Sequence, residues 1–144
     1  MIYNIYDPTA ASQLFPLCKK HGVGVIARVP LDEGGLTGSI KQETRFPPGD
    51  FRADYFKGDR RRQAYEHARE LEKLLGRRAK TLAELALRFC LSNPTITSVI
   101  PGMRSVLNVE RNSALSDGQQ LSPRLLGKIR EHAWPRNFYE PRRD

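Results

Sequence analysis

Val23 to Val29, VGVIARV, is a nearly continuous apolar run fenced by Gly22 and Pro30. Such a run reads as a strand buried on both faces, the pattern of parallel α/β sheets. A second strand, Thr97-Ser98-Val99-Ile100, is β-branched or small and stops at Pro101-Gly102. A third candidate, MIYNIY at Met1–Tyr6, is rich in strand formers and ends at Asp7-Pro8-Thr9. Helical patterns separate them. The order strand–helix, strand–loop–helix–helix, strand–helix–helix argues for an α/β fold with about three parallel strands. The first and last of these would be exposed edges unless something covers them.

Local signals fix the helices. The first is expected from about Ser12 to Lys20, because Pro16 fits best in a first turn, with Leu14, Leu17 and Cys18 on one face. His21-Gly22 stops it. Ser39 to Gly58 is long and irregular, and a loop of this length in a compact domain is often a lid or binding loop. A helix follows from about Arg60 to Leu75, with Tyr65, Ala68, Leu71 and Leu75 at helical spacing. Thr81-Leu82-Ala83-Glu84 is a capping box, opening a helix with Leu82, Leu85, Ala86 and Phe89 inward. Ser105 caps a helix with Val106, Val109 and the Ala114-Leu115 pair on its apolar face, and Ser122-Pro123 starts a last one with Leu125, Leu126 and Ile129 inward. Residues 1–133 are read as one unit. Residues 134–144 form a basic, Pro-broken tail over the surface.

Composition excludes several classes. With 39% hydrophobic and 28% charged residues, the 144-residue chain reads as soluble and globular. No apolar run approaches the ~20 residues of a membrane span, and the N-terminus lacks a signal-peptide pattern. The two cysteines, Cys18 and Cys90, read as buried thiols of a reducing, cytoplasmic compartment. His21, His67 and His132 are far apart and none sits at ligand spacing from a cysteine, so no metal is expected. The net charge of +8 permits an acidic ligand. The basic residues are scattered without interleaved aromatics, so nucleic acid is not expected.

Two stretches carry chemistry. Pro30 to Gly38, PLDEGGLTG, is a Gly-rich loop straight after a strand, where α/β proteins bind ligands. Thr97 to Asn112 is a strand, a Gly turn and a helix start, a combination that favours anions through free N–H groups and the helix dipole. Arg104 lies inside that turn, where a guanidinium can fork onto a phosphate. The plainer alternative is an ordinary strand-to-helix connection with a surface arginine.

Five motifs in order resemble the C-terminal part of the aldo-keto reductase family: YNIYD at Tyr3–Asp7, VGVIARVPLDEGGLTG at Val23–Gly38, FPPGDFR at Phe46–Arg52, LALRFCLSNP at Leu85–Pro94, and TSVIPGMRSVLNVERN at Thr97–Asn112. The resemblance runs from Tyr3 to about Ile129. It implies part of a (β/α)8 barrel, strands six to eight with their helices. It also implies an NADP cofactor, with NAD as the alternative. The loop after strand seven would wrap the pyrophosphate through Pro30, Leu31, Gly34, Leu36, Thr37 and Gly38. The turn after strand eight would hold the adenosine phosphate through Gly102, Met103, Arg104, Asn108 and Asn112. Tyr6 aligns with an aromatic that stacks on nicotinamide in many members. Many relatives carry Glu just before the final Asn; here it is Arg111, which favours the extra phosphate of NADP.

The family's Asp, Tyr, Lys and His tetrad lies on strands two to four, none of which matches this chain, so no catalytic residue is assigned. The Tyr is the acid that protonates the carbonyl oxygen as hydride arrives. The chain therefore looks like a truncated frame, a split half or a fragment. A small carbonyl substrate is expected only when the other half is present. The alternative is a non-enzymatic nucleotide-binding or interaction module, completed by a copy of itself or by an N-terminal half chain.

Overall fold

The computed structural model describes residues 1–136, and residues 137–144 of the predicted tail lie outside the described residues. Helix α1 spans Ala10–Lys20, strand β1 Val25–Arg28, and a 3-10 turn Asp32–Thr37. Then come α2 (Arg52–Tyr55), α3 (Arg60–Glu72), α4 (Leu82–Leu91), β2 (Ile96–Ile100), α5 (Val106–Ser113) and α6 (Pro123–Arg130). β1 and β2 pair in parallel. The register slips between Val25 and Ile26, so that Thr97 is an extra residue on β2. Its Oγ1 accepts the Val25 N–H at 3.1 Å, which satisfies the donor the bulge would orphan.

The first segment departs from expectation. Only Ile2 forms a parallel bridge, to Arg28. The run is cut short at Asn4, whose N–H turns back onto the Asp7 carbonyl at 3.2 Å. The sheet therefore has two strands and one bridging residue rather than three full strands.

β1 is not covered on both sides. Val25 and Ala27 are buried against the helices, whereas Ile26 is 53% exposed and Arg28 faces solvent with it. Successive side chains point to opposite faces, so one whole face of the sheet is open among the described residues. The same applies to α5: of the apolar face expected from Val106, Val109 and the Ala114-Leu115 pair, only Leu115, just past the helix, is buried, no residue of α5 is, and Val106 is 74% exposed.

α1 starts at Ala10, two residues earlier than predicted, with Pro16 inside it. Pro16 sits on the solvent side, where the Ser12 carbonyl it leaves unpaired can meet water. The buried face is Phe15 and Cys18; Leu14 and Leu17 are exposed. The long loop contains the short helix α2, and Trp134 at the start of the tail packs onto both apolar clusters rather than lying free.

The helix caps follow the sequence. Thr81, Ser105 and Ser122 each accept the N–H three residues on, from Glu84, Asn108 and Leu125. The return arm of the Thr81 box goes to the preceding residue, as Glu84 Oε2 accepts from the Lys80 N–H at 2.8 Å. Replacing Thr81 by alanine should lower stability by about 1 kcal/mol. A urea melt showing no loss would mean that water serves this helix end equally well.

The core lies between α4, α1 and the buried face of the strands. Leu85, Ala86 and Phe89 of α4 are buried together with Tyr3, Ile5 and Phe15. Cys18 and Cys90 are free and buried, and burial pushes the Cys90 thiol up to about 12. That is the behaviour of a structural rather than a reactive thiol.

Candidate functional site

Beyond the carboxyl ends of β1 and β2 the chain forms a cleft of about 660 Å³. Three segments wall it. One is the turn after β1, with Pro30, Leu31, Gly34 and Thr37. Another is the turn after β2, with Gly102, Arg104 and Asn108. The third comes from the long loop, with Asp50, Phe51 and Arg52.

Backbone strain marks the entry to this cleft. Val29, directly after β1, has φ +55°, and Asp32 and Glu33 have φ +47° and +54°. A β-branched residue in the left-handed region is costly and persists only where the surroundings enforce it. Asn4, itself buried, donates from Nδ2 to the Val29 carbonyl at 2.9 Å, and the Asp32 N–H bonds the same carbonyl at 3.2 Å. Gly34 at φ +105° and Gly38 at φ +74° then complete a tight 3-10 turn that a side chain at either position would strain. Thr37 locks it by donating from Oγ1 to the Gly34 carbonyl at 2.7 Å.

On the facing wall, α5 begins at the cleft. Gly102 has open space where a Cβ would project. The turn is closed from behind by Asn112, whose Nδ2 donates to the Gly102 carbonyl at 3.3 Å. Arg52 is held by Asp50, with contacts of 3.0 Å from Nε and 2.6 Å from Nη2, and its guanidinium lies 5.1 Å from the Phe46 ring. This pairing holds the Asp50 carboxyl down at about 2, with Arg104 adding a weaker pull at longer range. Arg104 itself makes no ion pair among the described residues. The cleft therefore has one committed arginine and one cation facing it without a carboxylate attached.

The predicted site residues divide accordingly. Pro30, Leu31, Gly34, Thr37, Gly102, Arg104 and Asn108 come together in the cleft. Met103 and Asn112 lie on the other side of the β2 turn, in a shallow depression with Pro101 and Ser113. Leu36 is fully buried in the core, and Gly38 abuts Glu72, whose Oε1 would stand 2.9 Å from a Cβ there. Tyr6 is 1% exposed, outside the cleft, its ring edge-on to Trp134 at 5.6 Å. Arg111 is exposed on α5 and does not line the cleft.

Sequence reasoning missed Glu33, Asp50 and Arg52 as cleft residues. The FPPGDFR motif contained two of them, but its turn chemistry did not reveal which side of the sheet it would cover. Among the described residues no group of three His, Cys, Asp or Glu could hold a metal, and no helix is long and apolar enough to cross a membrane.

A parallel strand pair that opens onto a ligand cleft at its carboxyl ends is the building unit of α/β barrels. Residues 1–133 match the model of the aldo/keto reductase family, and the chain belongs to that family. It is 29% identical over 114 residues to the NADH-specific methylglyoxal reductase of Escherichia coli (strain K12), covering 78% of this chain and 34% of that one. It is 30% identical over 148 residues to L-galactose dehydrogenase of Arabidopsis thaliana, covering 96% of this chain and 42% of that one. Among solved structures, a glycerol dehydrogenase from Gluconobacter oxydans superposes with a TM-score of 0.79 at 24% identity, covering 90% of this chain and 40% of that chain. The holo form of an aldo-keto reductase from Bacillus halodurans gives 0.66 at 26% identity, with 96% and 43% covered. The fold is thus part of a (β/α)8 barrel, and the chain spans well under half the length of these relatives. Members of the family use a nicotinamide cofactor and act on carbonyl compounds.

Proposed function

We propose that this chain carries the cofactor-phosphate side of a cytoplasmic, NADP-dependent aldo-keto reductase that reduces an aldehyde or ketone. Bound nicotinamide supplies the hydride in that chemistry. The chain's own residues would do the holding. The 3-10 turn Asp32–Thr37 would lie along the pyrophosphate through Gly34 and Thr37, and Gly102, Arg104 and Asn108 would receive the adenosine phosphate. The observation that carries this reading is the cleft itself, which joins both turns and leaves Arg104 without a carboxylate partner. The residue types fit an anion: a cation, a glycine with open space above it, and the start of an eight-residue helix.

The Asp-Tyr-Lys-His tetrad has no counterpart in these residues, so the chain alone should not turn over NADPH with a panel of aldehydes. Titration calorimetry tests the binding half. The folded chain should bind NADP weakly, and Arg104→Ala should weaken NADP roughly tenfold while leaving NAD nearly unchanged. Equal losses for the two cofactors would mean that Arg104 does not read the extra phosphate. No binding by the folded wild type would mean that the site needs the rest of a barrel to form.

A second reading is favoured by a separate observation. Ile26, Ile100 and Val106 are 53%, 56% and 74% exposed on the open sheet face and on α5. Apolar surface of this kind fits a module that pairs with a second chain, a copy of itself or an N-terminal half, with or without catalysis. Light scattering separates the readings: a stable monomer at micromolar concentration speaks against self-pairing.

A further inference from the structure

Residues 131–136 run back from the end of α6 to the first segment and to α2, and Trp134 is their anchor. The Trp134 N–H donates to the Tyr6 carbonyl at 2.8 Å, and its ring packs onto both apolar clusters. Two residues further on, Arg136 donates from Nη1 to the Tyr55 carbonyl at 2.8 Å, with its guanidinium 4.7 Å from the Tyr55 ring. Tyr55 in turn donates its hydroxyl to Asp32, the first residue of the 3-10 turn at the cofactor cleft. The strap thus reaches that turn through one intermediate residue. Trp134, Arg136, Tyr55 and Asp32 also line a hollow of about 240 Å³ beside the cleft.

The seat of Trp134 holds a titratable group. His67 of α3, half-buried, stacks on the Trp134 ring, with centroids 4.5 Å apart and planes 18° apart. The Tyr6 ring packs edge-on against the same imidazole at 5.9 Å. An indole face attracts an imidazolium, but the Arg60 guanidinium already lies over this ring at 4.1 Å. Burial, His132 and Arg60 hold the His67 imidazole below its ordinary value of 6.5, with Glu66 pulling the other way. Tyr6 faces it as a neutral phenol, since burial pushes that hydroxyl up. Glu70, one turn along α3, is tied to Lys73 at 2.6 Å.

We propose that residues 131–136 are a pH-sensitive strap: protonation of His67 expels Trp134 from its seat, which withdraws Arg136 from Tyr55 and loosens the Asp32–Thr37 turn. A proton taken up with the strap in place leaves an imidazolium half-buried beside Arg60, with the strap's own His132 close by. Once the strap lifts, the same imidazolium meets water. The docked strap therefore favours neutral His67. Docking is fully kept above the ordinary pKa of 6.5 and weakens as pH falls through it. Release gains about tenfold for each pH unit until the docked ring itself takes the proton. It needs only the folded chain and no dinucleotide. What it does to a bound cofactor rests on the reductase reading.

Trp134 is the only tryptophan in the sequence, so its fluorescence reports the strap directly. Between about pH 7.5 and 5.5 the full chain should shift its emission to the red and admit acrylamide more readily, with its helical circular dichroism unchanged. His67→Phe keeps a ring on the indole and should abolish both changes. His132→Gln should move the transition to higher pH and Glu66→Gln to lower pH, an opposition that general loosening of the fold does not produce. If His67→Phe does not fold, these two variants carry the test. Amide exchange reads the far end of the strap. The Gly34 and Leu36 N–H groups both bond the Leu31 carbonyl, at 2.9 and 3.0 Å. At acid pH they should exchange several-fold faster in wild type than in His67→Phe, and at neutral pH equally fast. Emission independent of pH in the folded wild type would overturn the proposal. So would a red shift that persists in His67→Phe, or acid quenching with no red shift, which means that the ring takes its proton in place. Equal exchange of the turn amides at acid pH would overturn the link to Asp32. A failure to bind NADP leaves these results standing, and the reverse also holds.

Discussion

Phe89→Ala is expected to cost about 3–5 kcal/mol, the usual range for deleting a buried aromatic. A domain of ordinary stability has only about 5–15 kcal/mol in hand, so the variant should be largely unfolded near physiological temperature. Phe89 is 1% exposed, and its ring stacks on Tyr3 at 5.4 Å, which in turn packs on Phe15 of α1 at 4.9 Å. Two more contacts reinforce it: Cys90 Sγ of α4 donates to the Tyr3 carbonyl at 3.4 Å, and Asn93 Nδ2, just beyond the helix, donates to the Tyr3 hydroxyl at 3.1 Å. Tyr3 is followed directly by Asn4, which holds the strained Val29 at the cleft. Losing the Phe89 ring should therefore loosen the cleft before the chain unfolds. Urea melts of wild type, Phe89→Leu and Phe89→Ala check the idea. Phe89→Leu should lose far less than Phe89→Ala, and a loss below about 1 kcal/mol for alanine would mean that the site collapses without a cavity.

Local and non-local features were unequally legible. The caps at Thr81, Ser105 and Ser122 were readable because each is one side chain meeting a backbone N–H three residues away. The two turns of the cleft were readable for a similar reason: Gly34, Gly38 and Gly102 sit in short stretches directly after strands. Burial was less readable. VGVIARV and the valines of α5 have the composition of covered surfaces, but composition does not say whether a cover is present in the same chain. No spacing rule connects Tyr6, Asp32 and Arg60, which belong to three separate segments yet line one small hollow. Asp32 in particular reads as one polar residue of a Gly-rich loop, and only its burial makes it chemically distinctive.

Arg88 is where charge, rather than apolar packing, fixes the fold. It is 6% exposed on α4 and holds the loop before α6. Its Nη1 and Nη2 donate to Asp117 Oδ1 and Oδ2 at 3.0 and 2.9 Å, Nη1 also reaches the Gln119 carbonyl at 3.2 Å, and Nε donates to Glu84 at 3.1 Å. The fork onto Asp117 is a planar bidentate match that lysine cannot reproduce. Arg88→Ala should cost about 3 kcal/mol, the lower end for breaking a buried pair, because both carboxylates left behind can reach water. Arg88→Lys should recover only part of it. The Arg88 guanidinium holds the Asp117 carboxyl down at about 2, below its ordinary value of 3.8. A depressed carboxyl stabilises the folded chain fully above its unfolded pKa, and that contribution disappears as pH falls from about 4 towards 2. Wild type should then lose melting temperature across this window more steeply than Arg88→Ala. A residual slope will persist in the variant, since Arg52 holds Asp50 down to a similar value. Parallel acid limbs in the two proteins would mean that Asp117 titrates alike in the folded and unfolded chains, and that the fork closes the loop by geometry alone.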